Sequence, residues 1–340
     1  MTYSLSHLHP VPSQSAPGAL SRRGILGALA ALPIAMHAPV RAQDSGALKI
    51  FQSTALTGPL SDLGVALNLG AKVYFSALNA KGGVNGRAIE LNAVDDAYEV
   101  PRAMANVKGF IENRNCFAIF NCFGTPMIEA MLPQVIASGI PFFAPLTGAL
   151  LARPKNTRNV FNIRASYADE TESLVQHLAT VGIKRIAIVH QNNTFGQDVA
   201  NAAHQFIASN KLTETAVATV ENDGSDAAAA ATKIVASQPE AVILGLAGTP
   251  TVEFVKAIRQ QRKGMPLYAL SVMGAAATLK AMGADATGIT VSQVMPLPTN
   301  NVLPLVREFQ LAWKAADMTQ EPSHLALEGY VNAKVFAEAL

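Results

Sequence analysis

A chain of 340 residues that is 50% apolar and 15% charged can bury a large core and exceeds what one core usually fills, so two domains are expected and a disordered chain is excluded. The formal charge is +2, and Arg22, Arg23 and Arg41 fall within residues 1–42, a stretch without acids, so the remainder carries −1. A near-neutral body gives no electrostatic basis for nucleic-acid binding.

Residues 1–20 are polar, with Ser and Pro frequent. Ser21-Arg22-Arg23-Gly24-Ile25-Leu26 resembles the twin-arginine export signal, and an apolar run from Ile25 to Met36 follows, too short to span a bilayer. Val40-Arg41-Ala42 supplies small residues for cleavage. Residues 1–42 therefore read as an export signal peptide cleaved near Ala42, leaving a soluble mature protein in the periplasm.

From Leu48 strand and helix patterns alternate. Leu48 to Ser53 reads as a strand, Asn68 to Ala80 as an amphipathic helix closed by Lys81-Gly82-Gly83, Ile89 to Asp95 as a strand and Pro101 to Glu112 as a helix. Cys116 to Phe120 is a short apolar run of buried-strand type. Asn121 to Gly124 then turns, Thr125 as N-cap and Pro126 at the first position open a helix to about Ala137, and the strand Pro141 to Ala144 ends in Pro145-Leu146-Thr147-Gly148. Val160 to Ile163 and a helix from Tyr167 to Val181 lead into a second series, with strands at Arg185–His190, Thr213–Val220, Ala241–Leu246, Leu267–Leu270 and Ile289–Val294. Helices fall between them, one of them the Ala-rich Ser225 to Ala236, and helical patterns at Pro304 to Ala316 and Leu325 to Leu340 end the chain. Repeated βαβ units predict an α/β fold of two Rossmann-like lobes with parallel sheets. The last helical pattern stops without a cap, from which a further C-terminal segment is expected.

In such sheets the turns after Phe120 and Ala144 lie at the carboxyl ends of strands, where open α/β sheets bind ligands. The Gly124-Thr125 turn offers backbone N–H groups at a helix N-terminus, a seat for a carboxylate, and equally the ordinary geometry of a capped turn. Cys116 and Cys122 are the only cysteines; on one extended strand, six residues at ~3.3 Å each hold them ~20 Å apart. A disulfide needs about 7 Å, so no pairing is expected and both read as core residues.

Enzyme motifs are missing. Gly82-Gly83…Gly86 follows a helix rather than a strand, Gly245…Gly248 lacks the middle glycine of a dinucleotide fingerprint, and no nucleophile elbow or phosphate loop occurs. The histidines after residue 42, His177, His190, His204 and His324, have no metal-ligand spacing. No catalytic residue, metal or cofactor is expected.

Several segments in order carry a resemblance: Leu56-Thr57-Gly58-Pro59, Gly70-Ala71, Asn79-Ala80-Lys81-Gly82-Gly83-Val84-Asn85-Gly86-Arg87, Asp95-Asp96, Arg185-Ile186-Ala187-Ile188-Val189 and Phe195-Gly196. From about Ile50 onward the chain resembles the periplasmic solute-binding proteins of branched-chain amino acid type ABC importers. The resemblance implies a type I periplasmic binding fold, with lobes at 47–168 plus 295–340 and at 169–294 joined by a multi-crossover hinge. It implies a small-molecule ligand (an amino acid, an aromatic or aliphatic carboxylate, or an amide) and a membrane permease as partner. By the same likeness Gly124 and Thr125 hold the ligand's carboxylate, Leu146 supplies backbone in the next turn and Thr147 stands beside the usual hydroxyl position, here Gly148. Leu63 contacts the ligand from the first loop, and Phe195, Ala247 and Gly248 face it from the second lobe. Amino-acid binders commonly carry an acid near the end of the strand before Gly274; Ser271-Val272-Met273 has none, which points towards a ligand without an α-ammonium. Arg164 and Asp169 read as a hinge pair or helix cap. The alternative is a ligand-sensing regulator of the same fold acting on a protein partner.

Overall fold

The computed structural model describes residues 46–340 apart from Ala275; residues 1–42, where the sequence is expected to carry an export signal, lie outside the described residues. The first half of the chain supplies β1 (Leu48–Thr54), β2 (Ile89–Asp95), β3 (Ala118–Phe120), β4 (Phe142–Phe143) and β5 (Val160–Phe161), hydrogen-bonded in the order β2-β1-β3-β4-β5. The second supplies β6 (Arg185–Gln191), β7 (Thr213–Val220), β8 (Ala241–Gly245), β9 (Leu267–Ala269) and β10 (Ile289–Val291), in the order β10-β9-β8-β6-β7. Every pairing in both sheets is parallel, as in Ile119 opposite Phe142 and Val242 opposite Leu267. Central strands such as β3 and β8 are buried at every residue, which is why they read as unbroken apolar runs rather than alternating ones. Each sheet reverses its winding beside its first strand, between β1 and β3 and between β6 and β8. The loops leaving those strands diverge there and open a crevice.

The crossovers are α1 (Ser61–Asn79), α2 (Val100–Glu112) and α3 (Thr125–Ser138) on the first sheet, and α5 (Thr194–Ser209), α6 (Ala227–Ala236), α7 (Thr249–Gln261) and α8 (Ala276–Met282) on the second. After β5, α4 (Tyr167–Thr180) leads to the second sheet and packs there beside α5; α9 (Pro304–Ala315) and α10 (His324–Glu338) return to the first sheet. The first helix starts at Ser61, seven residues before the apolar periodicity at Asn68 announces it. Its early glycines disguise it, and they are there for contact: a β-carbon on Gly64 would lie 2.1 Å from the Ala55 carbonyl oxygen. Gly70 on α1 and Gly329 on α10 let those two helices touch backbone to backbone, for their β-carbons would fall 1.8 Å from Ala326 O and 2.0 Å from Leu67 O. Beneath the crossing, Asn332 donates to Asn121 Oδ1 at 2.8 Å, Gln52 to Asn121 O at 2.7 Å and Asn68 to Gln52 Oε1 at 2.6 Å, a buried amide ladder joining α10, β3, β1 and α1. Cys116 and Cys122 are free thiols, both pushed up by burial, to about 11 and about 12.

Candidate ligand-binding cleft

The loops after β1, β2, β3 and β5 meet those after β6, β8 and β9. Because β3 and β4 are parallel neighbours, the turns that follow them run side by side: Leu146 N donates to Cys122 O at 2.8 Å and Gly124 N to Leu146 O at 3.3 Å. That zipping brings the Thr125 and Thr147 hydroxyls to 2.8 Å from each other, both fully buried. Thr147 Oγ1 also accepts from Ala149 N at 3.1 Å. The N-cap of α3 is Gly124, at φ 100°, and not Thr125, which is the first helical residue. A glycine is needed there because a β-carbon would stand 2.7 Å from the Tyr98 ring and 2.5 Å from the Met127 methyl. Thr125 N and Met127 N belong to the first turn, whose N–H groups have no partner inside the helix.

Four rings close the space in front of these hydroxyls. Tyr98 and Phe123 come from the first sheet's loops, with centroids 5.5 Å apart; Tyr167 begins α4, and Phe195 begins α5 and meets Tyr167 edge-on at 5.1 Å. Leu60, Ala247 and Val272 complete the wall, and the enclosed volume is about 10 Å³, room for about one water. No acid or base lines it. The same side chains join an apolar cluster that continues from Leu63 and Leu146 to Val199 and Leu270, so the two sheets share one core across the cleft. Polar contacts fasten the rim: Thr249 donates to the Pro59 carbonyl from N at 3.1 Å and from Oγ1 at 2.9 Å, and the Thr278 hydroxyl donates to Asp62.

Of the residues picked out in the sequence, Gly124, Thr125, Phe195 and Ala247 line the cavity. Leu146 and Thr147 support it from the adjoining turn, and Gly248, at φ 62°, packs against Pro59 at the rim. Leu63 is fully buried one turn of α1 below, while Leu60 occupies the wall. Gly148 has no hydroxyl because Tyr167 leaves no room, a β-carbon there lying 2.5 Å from its ring. Sequence reasoning passed over Leu60, Tyr98, Phe123, Tyr167 and Val272. Phe123 sits next to a glycine already singled out, and Tyr98 two residues after an Asp-Asp pair; those positions were the available signal.

Behind the cleft, where the chain passes between the sheets, Arg164 is buried with two carboxylates. Its Nη1 donates to Glu328 on α10 at 2.6 Å, and its Nη2 reaches Ser271 and lies 3.5 Å from Glu170 on α4. Glu170 also accepts from Ser271 N at 2.9 Å and Ser292 Oγ at 2.7 Å. Burial opposes the charge on Arg164, but Glu328 and Glu170 outweigh it and hold the guanidinium above its usual value. Burial raises Glu328, partly offset by Arg164. Asp169 and Ser166 form a capping box at the start of α4. His190 is a buried core histidine with Nδ1 3.1 Å from the Gln191 carbonyl.

Two parallel α/β sheets whose strand ends close on a shared cavity define a two-lobed small-molecule-binding protein. The chain belongs to the periplasmic binding protein family, whose profile matches residues 48–340, and within it to the type I, branched-chain amino acid class. It is 23% identical to a Leu/Ile/Val-binding protein homologue of Brucella abortus over 92% of this chain and 81% of that one. It is 24% identical to an amino acid binding protein of Pseudomonas aeruginosa, over 60% of this chain and 55% of that one, so that match spans about half the relative's length. A substrate-binding periplasmic protein from Ralstonia solanacearum superposes with a TM-score of 0.80 at 32% identity, covering 86% of this chain and 83% of the other. A solute-binding protein from R. palustris, solved in complex with benzoate, shares the fold with a TM-score of 0.77 at 19% identity, over 86% and 80% of the two chains.

Proposed function

We propose that this protein is the exported substrate-binding subunit of an ABC importer, which captures a small carboxylate lacking an α-ammonium between two lobes and delivers it to a membrane permease. The lobes are 47–168 with 295–340 and 169–294, hinged at the crossovers around Arg164. Membership of a periplasmic family and the Ser21-Arg22-Arg23 signal support the location. The ligand class rests on one observation: a wall of four rings, Leu60, Ala247 and Val272 with no carboxylate in it, beside two hydroxyls and the N-terminus of α3. An anion is favoured at such a helix end, whereas a buried ammonium without a paired acid is costly. Glu170, which accepts from Ser271 N beside Val272, is engaged by Arg164, Ser271 and Ser292. Benzoate, the acid held by the R. palustris protein, has this chemistry. A cavity of about 10 Å³ admits no such molecule until the lobes part, so binding proceeds by opening and closure.

The relatives' names favour a second reading, in which an aliphatic α-amino acid occupies the cleft. Calorimetry with benzoate, hexanoate, an amide, leucine and valine separates the two. A micromolar acid at millimolar concentration should also stabilise the mature chain by about 4 kcal/mol. Tight binding of leucine or valine with no response to acids sinks the carboxylate reading. Replacing Arg22 and Arg23 together by Lys should leave precursor in the cytoplasm; normal export would refute the twin-arginine route.

A further inference from the structure

Tyr98 stands in a conformation that nothing in its own sequence explains. It follows Ala97, and both residues have positive φ, 49° and 63°, the left-handed region that β-carbon-bearing residues seldom enter. Two carboxylates hold the segment there. Asp96 accepts from Tyr98 N at 3.0 Å and Ser53 Oγ at 2.7 Å, and Asp95 from Ala97 N at 2.9 Å, Leu56 N at 2.8 Å and Thr57 Oγ1 at 2.6 Å. Strain so thoroughly fixed by its surroundings marks a position where a side chain has been placed for use.

What the strain achieves is the placement of the ring. It lies over the Gly124-Thr125 turn, against Phe123, so closely that position 124 tolerates no β-carbon. The phenol then continues to the other side of the cleft, where its hydroxyl is hydrogen-bonded to the side chain of Asn193, the N-cap of α5 that also holds Gly196 N at 3.0 Å. Phe195, in the first turn of that helix, forms the facing wall. One residue of the first lobe thus covers the anion seat and grips the helix that carries the opposite wall.

We propose that Tyr98 is the specificity-determining residue of the cleft: its ring sets the length and thickness of the ligand's tail, and its hydroxyl couples occupation of the seat to closure of the second lobe. Resting on the carboxylate reading, the proposal selects a planar tail no larger than one ring, stacked along Tyr98 with its carboxylate at Thr125. Longer or branched tails strike the phenol.

Two variants of the mature protein test this by calorimetry with benzoate, 2-naphthoate, hexanoate and leucine. Tyr98→Phe keeps the ring and loses the cross-cleft bond; it should weaken every ligand that binds by a common factor, about fivefold, without changing their order. At the same saturating benzoate concentration, small-angle scattering should show a larger radius of gyration for this variant than for wild type. Tyr98→Gly removes the ring and relieves the positive φ, so it should fold; it should weaken benzoate at least tenfold and move the order towards 2-naphthoate. Unchanged ligand order in Tyr98→Gly overturns the specificity role, and unchanged affinity in Tyr98→Phe overturns the coupling. Should wild type take leucine and no acid, the carboxylate reading fails, and Tyr98 is judged by whether Tyr98→Gly moves preference from leucine to tryptophan.

Discussion

Replacing Arg164 by Met would leave Glu170 and Glu328, each 4% exposed or less at the side chain, facing each other without a counter-charge. Breaking a buried ion pair from one side costs about 3–5 kcal/mol, because the remaining charge stays desolvated. At roughly 2–4 °C per kcal/mol for a domain approaching this size, melting should fall by on the order of 10 °C. Glu328→Gln supplies the contrast and the pH dependence. Burial first, and Glu170 after it, raise Glu328, while Arg164 lowers it; one guanidinium serves two carboxylates. A carboxyl with a higher pKa folded than unfolded holds its proton more tightly in the fold. Its contribution is therefore complete below about pH 4.3, the unfolded glutamate value, and is lost as pH rises through the folded one. Glutamine mimics the protonated form, so the variant should match wild type near pH 4 and become the more stable of the two as pH rises towards 8. Differential scanning calorimetry from pH 4 to 8 measures both. An Arg164→Met protein melting within 2 °C of wild type, or a Glu328→Gln deficit that grows with pH, would refute the reasoning.

Thr125→Ala should cost the ligand-free protein about 1 kcal/mol, the Thr147 bond, and weaken a carboxylate ligand by about tenfold or more, with Thr125→Ser restoring most of the affinity in calorimetry. Gly70→Ala should destabilise by about 3 kcal/mol or more, read from urea midpoints, since its methyl would drive α1 off α10. Gly248→Ala places a β-carbon 2.8 Å from the Pro59 carbonyl at φ 62°; scattering should show a ligand-saturated form that no longer reaches the wild-type radius.

The architecture was legible because buried parallel strands are continuous apolar runs that end in small-residue turns; β7, Thr213–Val220, falls where its pattern puts it. What escaped were features set by other parts of the chain. The first turns of α1 looked unlike helix because Gly64 and Asn68 answer to Ala55 and Gln52 rather than to helix propensity. Thr125 read as a cap because Thr-Pro is a common helix start, yet Gly124 takes that place under the Tyr98 ring. Tyr98 and Tyr167 were hidden for the same reason: a ring's service to a cavity depends on which loops face each other, and no local pattern records that. Ser271-Val272-Met273 carries no acid, as its sequence shows, and the carboxylate that does reach Ser271 comes from Glu170, 101 residues away in sequence and already paired with Arg164.

The rim decides how much of the binding energy a ligand must itself provide for closure. Two bonds from Thr249 to Pro59, one from Thr278 to Asp62 and one from Tyr98 to Asn193 cross between the lobes. Each is exchanged for water on opening and is worth about 0.5–1.5 kcal/mol. None involves a charge on both sides, so the latch is weak and insensitive to salt. A ligand of micromolar affinity supplies about 8 kcal/mol, and moving a population from 1:99 to 99:1 takes about 5.5 kcal/mol of preference for the closed form. On the proposed two-lobed reading, that preference would arise because Thr125 and Phe195, which line the cavity from opposite sheets, would touch one ligand together only when the lobes meet. Thr249→Val removes one latch bond, keeps the shape and lies outside the cavity. It should raise Kd by roughly twofold to tenfold through faster release, with the association rate unchanged. Stopped-flow fluorescence of Trp313, beside the rim on α9, resolves the two rates. A variant that loses affinity through slower association, or loses none, would show that closure does not limit release.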